Sequence, residues 1–144
     1  MKITVIQNWL DPHLIDYLSF VSLFKIPHFF HETSTKEKLD YAHTQDIFYC
    51  KDFCSTQHPE YERVNLNIQH PGMSGGWHND FTTPIGTTCL LMISPNNKGG
   101  SFFYYNKQSI QEEKYEQNKF IMFGAKTKHR GDCFKDAPRV TLAF

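Results

Sequence analysis

From Pro27 onward the chain is a succession of short β-rich segments, each closed off by residues that interrupt regular structure. The candidate strands are His28–Glu32, Ile47–Cys50, Arg63–His70, Gly76–Asp80, Thr87–Ser94, Ser101–Asn106, Lys119–Gly124 and Arg139–Phe144. Pro71-Gly72, Gly75-Gly76, Pro84, Pro95-Asn96-Asn97 and Gly99-Gly100 supply the turn chemistry between them. Strands this short and this numerous bury their apolar faces by packing sheet on sheet, so the expected product is a β-sandwich or barrel. Two polar stretches are read as connections: Thr33–Gln45, a short helix or mobile loop, and Gln108–Asn118, a solvated loop or turn. Ahead of all this lies a strand, Lys2–Ile6, and then a helix. Asp11 is placed to cap it, Pro12 fits its first turn, and Leu14, Ile15, Leu18, Val21 and Phe24 recur at helical spacing. Pro27 ends it.

The chain's 144 residues suit one domain, 1–144, and the 13 Phe, 7 Tyr and 2 Trp give it a large apolar payload for its core. Fifteen basic residues balance fifteen acidic ones. With no basic stripe to neutralise phosphates, a nucleic-acid partner is not expected. No apolar run approaches the roughly 18–20 residues that span a bilayer, so no membrane partner is expected either. The apolar start, Ile3–Ile6, is too short for a signal peptide, and a cytoplasmic location is expected. Cys50, Cys54, Cys89 and Cys133 then read as reduced, buried thiols. Cys50 and Cys54 with His58 lack a second ligand pair at zinc-finger spacing.

Chemistry concentrates in Trp77-His78-Asn79-Asp80. On a strand, positions i and i+2 share a face, so His78 and Asp80 can address one point in space. They supply two donors of a 2-His-1-carboxylate triad, which leaves open positions on Fe(II). The third donor has to come from a distant strand, and His129 is the candidate. Ten positions further on, Arg139 begins the last strand, where a cation on an inner wall needs an anion; its guanidinium fork suits a dicarboxylate.

With these residues in place the sequence resembles the Fe(II)/2-oxoglutarate-dependent dioxygenases, closest in pattern to the prolyl 4-hydroxylase-like group. The resemblance runs through ITVIQNWLDPHLIDYL, NLNIQHPGMSGGWHND, LLMISPNNKGGSFFYYN, NKFIMFGA and HRGDCFKDAPRVTLAF, nearly the whole chain. It implies a double-stranded β-helix (jelly roll) with the N-terminal helix packed on the major sheet. His78, Asp80 and His129 match the iron ligands, Arg139 matches the anchor for the far carboxylate of 2-oxoglutarate, and Thr141, on the same face, is a second contact. The implied activity uses Fe(II), 2-oxoglutarate and O2 to hydroxylate an unactivated C–H bond, releasing succinate and CO2. The expected substrate is a small molecule or peptide, with a prolyl or other amino-acid target in view. The resemblance implies no protein general base, and no catalytic residue is expected beyond the metal ligands. The alternatives are a non-catalytic jelly-roll binding module, or a cupin-type metal enzyme with no use for 2-oxoglutarate.

The sequence departs from the group at one contact. Many relatives carry a Tyr before the Pro-Gly-like turn, where this chain reads Asn65-Leu66-Asn67-Ile68-Gln69-His70-Pro71-Gly72. Alternation puts Leu66 and Ile68 against the helix and turns Asn67 and Gln69 toward the site as candidate 2-oxoglutarate contacts, unless they are solvated edge residues. His70 takes the Tyr's place if the turn distorts the strand. Thr33–His58 and Phe81–Ile85 are the expected mouth loops.

Overall fold

The N-terminal helix starts where its capping chemistry says it must. Asp11 Oδ1 accepts from the backbone N–H groups of His13 at 2.9 Å and Leu14 at 3.4 Å, and Pro12 opens helix α1, Pro12–Phe24. The computed structural model describes residues 3–25, 30–31, 42–46, 65–71, 75–80, 86–95, 100–132 and 134–144. The strands are β1 Thr4–Ile6, β2 Phe30–His31, β3 Ala42–Asp46, β4 Asn65–Gln69, β5 Thr87–Met92, β6 Ser101–Asn106, β7 Ser109–Lys114, β8 Phe120–Gly124, β9 His129–Gly131 and β10 Arg139–Ala143. They form two antiparallel sheets: a large one in the order β1-β8-β5-β10-β4-β3-β2 and a small one in the order β7-β6-β9. This is the jelly roll, with its helix on the major sheet, that the sequence led one to expect.

Alternation along the strands creates two cores. Leu66 and Ile68 of β4, Leu91 of β5 and Val140 of β10 point to one side and pack with Ile15 of α1. Leu90 and Met92, one residue out of step with Leu91, point to the other side and meet Phe102, Ile121, Phe123, Tyr115 and Phe134 between the sheets. β10 lies between β4 and β5, with Arg139 opposite Gln69 and Thr141 opposite both Asn67 and Met92. Arg139, Thr141, Asn67 and Gln69 therefore share the inter-sheet face with Met92.

Several expectations are corrected. Gln108–Asn118 is not a solvated loop: β7 occupies Ser109–Lys114 as a partner of β6, and Tyr115 and Asn118 are buried. An edge strand paired on one side needs no apolar face, and so this one carries no hydrophobic alternation. Part of Thr33–Gln45 is strand, since β3 begins at Ala42 and pairs with β4. Gly76–Asp80 is not a regular strand; it contributes a single bridge at His78. Leu14 and Phe24 face solvent, and the packed side of α1 is Ile15, Leu18, Ser19 and Ser22. Ile47–Cys50, most of the expected mouth loops, and Cys50, Cys54 and Cys133 lie outside the described residues; Cys89 is a free thiol.

The N-terminal segment is fastened by Asn118. Its side chain accepts from Leu10 N at 2.8 Å and donates to Leu10 O at 2.7 Å, at a backbone φ of 65° that asparagine tolerates well. Trp9 stacks on Phe120 with ring centroids 4.3 Å apart.

Candidate metal centre

His78 and His129 come from segments far apart in sequence and meet in one antiparallel bridge. His78 N donates to His129 O at 3.0 Å, and His129 N donates to His78 O at 2.9 Å. Each ring is then oriented by its own backbone: Nδ1 of His78 lies 2.8 Å from Gly76 O, and Nδ1 of His129 lies 2.8 Å from Thr127 O. A carbonyl can only accept, so in both neutral rings the proton sits on Nδ1 and the Nε2 lone pair is left to bind a cation. Asp80 Oδ1 lies 3.6 Å from His78 Nε2 and 3.7 Å from His129 Nε2. Two donors bound to one ion at about 2.1 Å each can stand no more than about 4.2 Å apart, and both separations fit. One ligand atom from each of the three residues falls within a 4.8 Å cluster. Two imidazoles and a carboxylate are the donor set of a facial-triad iron site, so the residues present fit Fe(II).

The surroundings reinforce the charge states. His129 is buried, and the rings of Phe123 and Phe102 lie 4.7 and 5.4 Å from its own. Burial pushes its pKa down to about 4; Asp80 opposes that shift, His78 adds to it, and the Thr127 carbonyl opposes it. Burial works against the Asp80 carboxylate. The contact with His78, the charge of His129 and the hydroxyl of Thr88 outweigh it, holding its pKa below the ordinary carboxylate value. Thr88 Oγ1 donates to Asp80 Oδ2 at 2.6 Å. The sequence reading missed Thr88; its signal was a hydroxyl in step with Leu90 and Met92 on the inner face of β5.

Arg139 reaches the same inner face. Its guanidinium lies against the backbone of Gly131, two residues along β9 from His129, a separation of roughly 7 Å on an extended strand. Nη1 donates to Gln69 Oε1, Gln69 Nε2 donates to Gly131 O at 3.2 Å, and the Tyr115 ring lies 5.4 Å from Arg139 Cζ. Gln69 is thus turned toward Arg139. Thr141 is buried and Asn67 half-buried on the same face, and His70 follows the end of β4 with a half-buried side chain.

A scan against protein-family models finds no match, and a search of the curated proteins finds none. Solved structures do match. A prolyl-4-hydroxylase from Pseudomonas putida superposes with a TM-score of 0.76 at 11% identity, over 98% of this chain and 89% of that one. The fold is that of the 2-oxoglutarate/Fe(II) oxygenases. A Trichoplax adhaerens prolyl hydroxylase, solved with a hypoxia inducible factor peptide, gives 0.71 at 14% identity over 98% and 81% of the two chains. The alpha-ketoglutarate-dependent carbocyclase of nogalamycin biosynthesis gives 0.71 at 9% identity over 98% and 77%. Oxygenases of this fold thus include proteins named for peptide and for small-molecule chemistry. No helix among the described residues is long and apolar enough to cross a membrane.

Proposed function

We propose that the whole chain is one oxygenase domain, dependent on Fe(II) and 2-oxoglutarate, which hydroxylates an unactivated C–H bond of an amino-acid, peptide or other small substrate and releases succinate and CO2. The observation that carries this reading is the convergence of His78, Asp80 and His129 on one point, with the Arg139 guanidinium two strand positions away on the same face.

Each residue's part follows from its chemistry. His78 and His129 would hold the ion through Nε2, their tautomers fixed by Gly76 O and Thr127 O. Asp80 adds the anionic oxygen that makes a divalent ion preferred. Bound Fe(II) supplies the redox chemistry with O2, which no side chain here can supply. Phe102 and Phe123 keep water from the back of His129. Arg139 offers a planar fork to the far carboxylate of 2-oxoglutarate, with Thr141 and Asn67 lining the same wall and Gln69 setting the fork's direction. The comparison fold spans several substrate classes, and fold alone does not choose among them.

The test is anaerobic titration of the protein with Fe(II) and 2-oxoglutarate, followed by a screen for succinate formation stimulated by free proline, proline-containing peptides and other amino acids. A weak visible absorption needing both Fe(II) and 2-oxoglutarate is expected, and it disappears in His129→Ala. Metal binding without that absorption favours a metal enzyme that does not use 2-oxoglutarate; no metal binding at all favours a non-catalytic module.

A further inference from the structure

We propose that Thr88 is a positioning residue for the metal, fixing Asp80 as a one-oxygen ligand; this rests on the metal-centre reading above. Both oxygens of a carboxylate can bind the same cation, and nothing in Asp80 alone prevents it. The two oxygens of Asp80 are treated differently here. Oδ1 stands 3.6 and 3.7 Å from the two Nε2 atoms, whereas Oδ2 is held at 2.6 Å by the Thr88 hydroxyl. That is a short bond of the kind a hydroxyl makes to a charged oxygen. Thr88 is only 6% exposed, on the inner face of β5 and paired in register with Phe123 of β8, so its Oγ1 is fixed by the sheet. The Asp80 side chain is 26% exposed and belongs to no regular strand. A rigid hydroxyl therefore orients a less constrained carboxylate.

The consequence concerns open positions. Three single-atom protein donors leave about half of an octahedral ion for exogenous ligands. A 2-oxo acid that chelates through two atoms then leaves one position for O2. If Asp80 swung to bind through both oxygens, it would take that last position. Thr88 thus acts on the number of ligands the ion can accept, as well as on how tightly the ion is held.

The experiment uses Mn(II) alone as the probe, with wild type, Thr88→Val and Thr88→Ser. Free Mn(II) is counted by its paramagnetic resonance signal, and the water bound to the ion by solvent proton relaxation. Thr88→Val keeps the shape and removes the hydroxyl. It should bind Mn(II) about 10–100-fold more weakly, as loss of a partner behind a metal ligand generally does, with less relaxation enhancement per bound ion. Thr88→Ser, which restores the hydroxyl, should recover most of the affinity and the enhancement. Metal-free melting curves check that the variants remain folded. If Thr88→Val does not fold, the decision passes to Thr88→Ser against Thr88→Ala. Equal affinity and equal enhancement in the hydroxyl-free variant overturn the proposal. Failure of the wild type itself to bind Mn(II) overturns the metal-centre reading instead.

Discussion

Gly131 is the position at which one methyl group should separate folding from 2-oxoglutarate binding. A Cβ built there would meet Arg139 Nη2 at 2.8 Å and Cζ at 2.9 Å, with Nη1 closer still. Comfortable contact needs about 3.5–4.0 Å, so the guanidinium, whose closest atom is Nη1, must retreat by somewhat more than about 1 Å. It is the far end of a flexible side chain, and Gly131 has no positive φ that alanine would resist. The stability cost of Gly131→Ala should therefore be small, about 1 kcal/mol, at the low end for an overpacked site. Binding is a different matter. The fork is aligned through Gln69 and lies over the Tyr115 ring, and a displacement near 1 Å at a positioning group costs about 10²-fold. We expect Gly131→Ala to weaken 2-oxoglutarate about 10–100-fold, or about 1.4–2.8 kcal/mol. Mn(II) affinity should stay unchanged, because the ligand on this strand is His129. The assay is calorimetric titration of 2-oxoglutarate into the Mn(II)-loaded variant, alongside thermal melting. Wild-type affinity for 2-oxoglutarate in a folded Gly131→Ala protein would refute the assignment of Arg139 as the anchor.

Arg139→Ala should lower 2-oxoglutarate affinity by at least about 2 kcal/mol, and Arg139→Lys by less, since lysine keeps the charge but not the planar fork; the same titration checks both. Asn118→Ala removes both side-chain bonds to Leu10 and leaves alanine at a φ of 65°, so urea unfolding should show a loss of about 2–4 kcal/mol, with Asn118→Gly recovering part of it. Burial raises the Tyr115 phenol from 10.0 to about 12, against the Ser94 hydrogen bond and the Arg139 charge. The folded state thus resists deprotonation; the associated stability is complete below pH 10.0 and drains away as the pH climbs toward about 12. The stability advantage of wild type over Tyr115→Phe, measured by denaturant at each pH, should shrink across that window by up to about 3 kcal/mol. A constant difference would mean that the phenol does not titrate on unfolding.

What could be read from the sequence was whatever follows from local chemistry repeated at a fixed period. Asp11-Pro12 announced a helix start, and the run Thr87–Ser94 a strand, which the structure buries on both faces through Leu90, Leu91 and Met92. Leu66 and Ile68 correctly implied that Asn67 and Gln69 face away from the helix. What escaped notice depends on partners distant in sequence. β7 carries Ser-Ile-Gln-Glu-Glu-Lys and is a strand because β6 pairs with it in register, not because of its own pattern. β9 is three residues long, below the length at which any periodicity can be recognised. At the site, His78 and Asp80 could be linked by an i, i+2 argument. The engagement of Gln69 with Arg139 and of Thr88 with Asp80 is a side-chain contact between strands, and only the folded register reveals it.

The reciprocal hydrogen bonds between His78 and His129 have a bearing on how the protein is assembled. These residues stand 51 positions apart, and joining them closes a long loop whose entropic cost grows only with the logarithm of its length. The bridge is made by main-chain groups alone, so closing that loop engages neither imidazole. A metal arriving later finds its imidazoles already side by side and acts as a rivet through a finished seam. The metal-free chain should therefore reach its native topology unaided. Ion binding should then raise the unfolding temperature in proportion to the logarithm of ion concentration above the dissociation constant, the ordinary response of a ligand selective for the folded state. Chelators should loosen the protein without denaturing it, unlike small zinc domains, which unfold when their ion is stripped away.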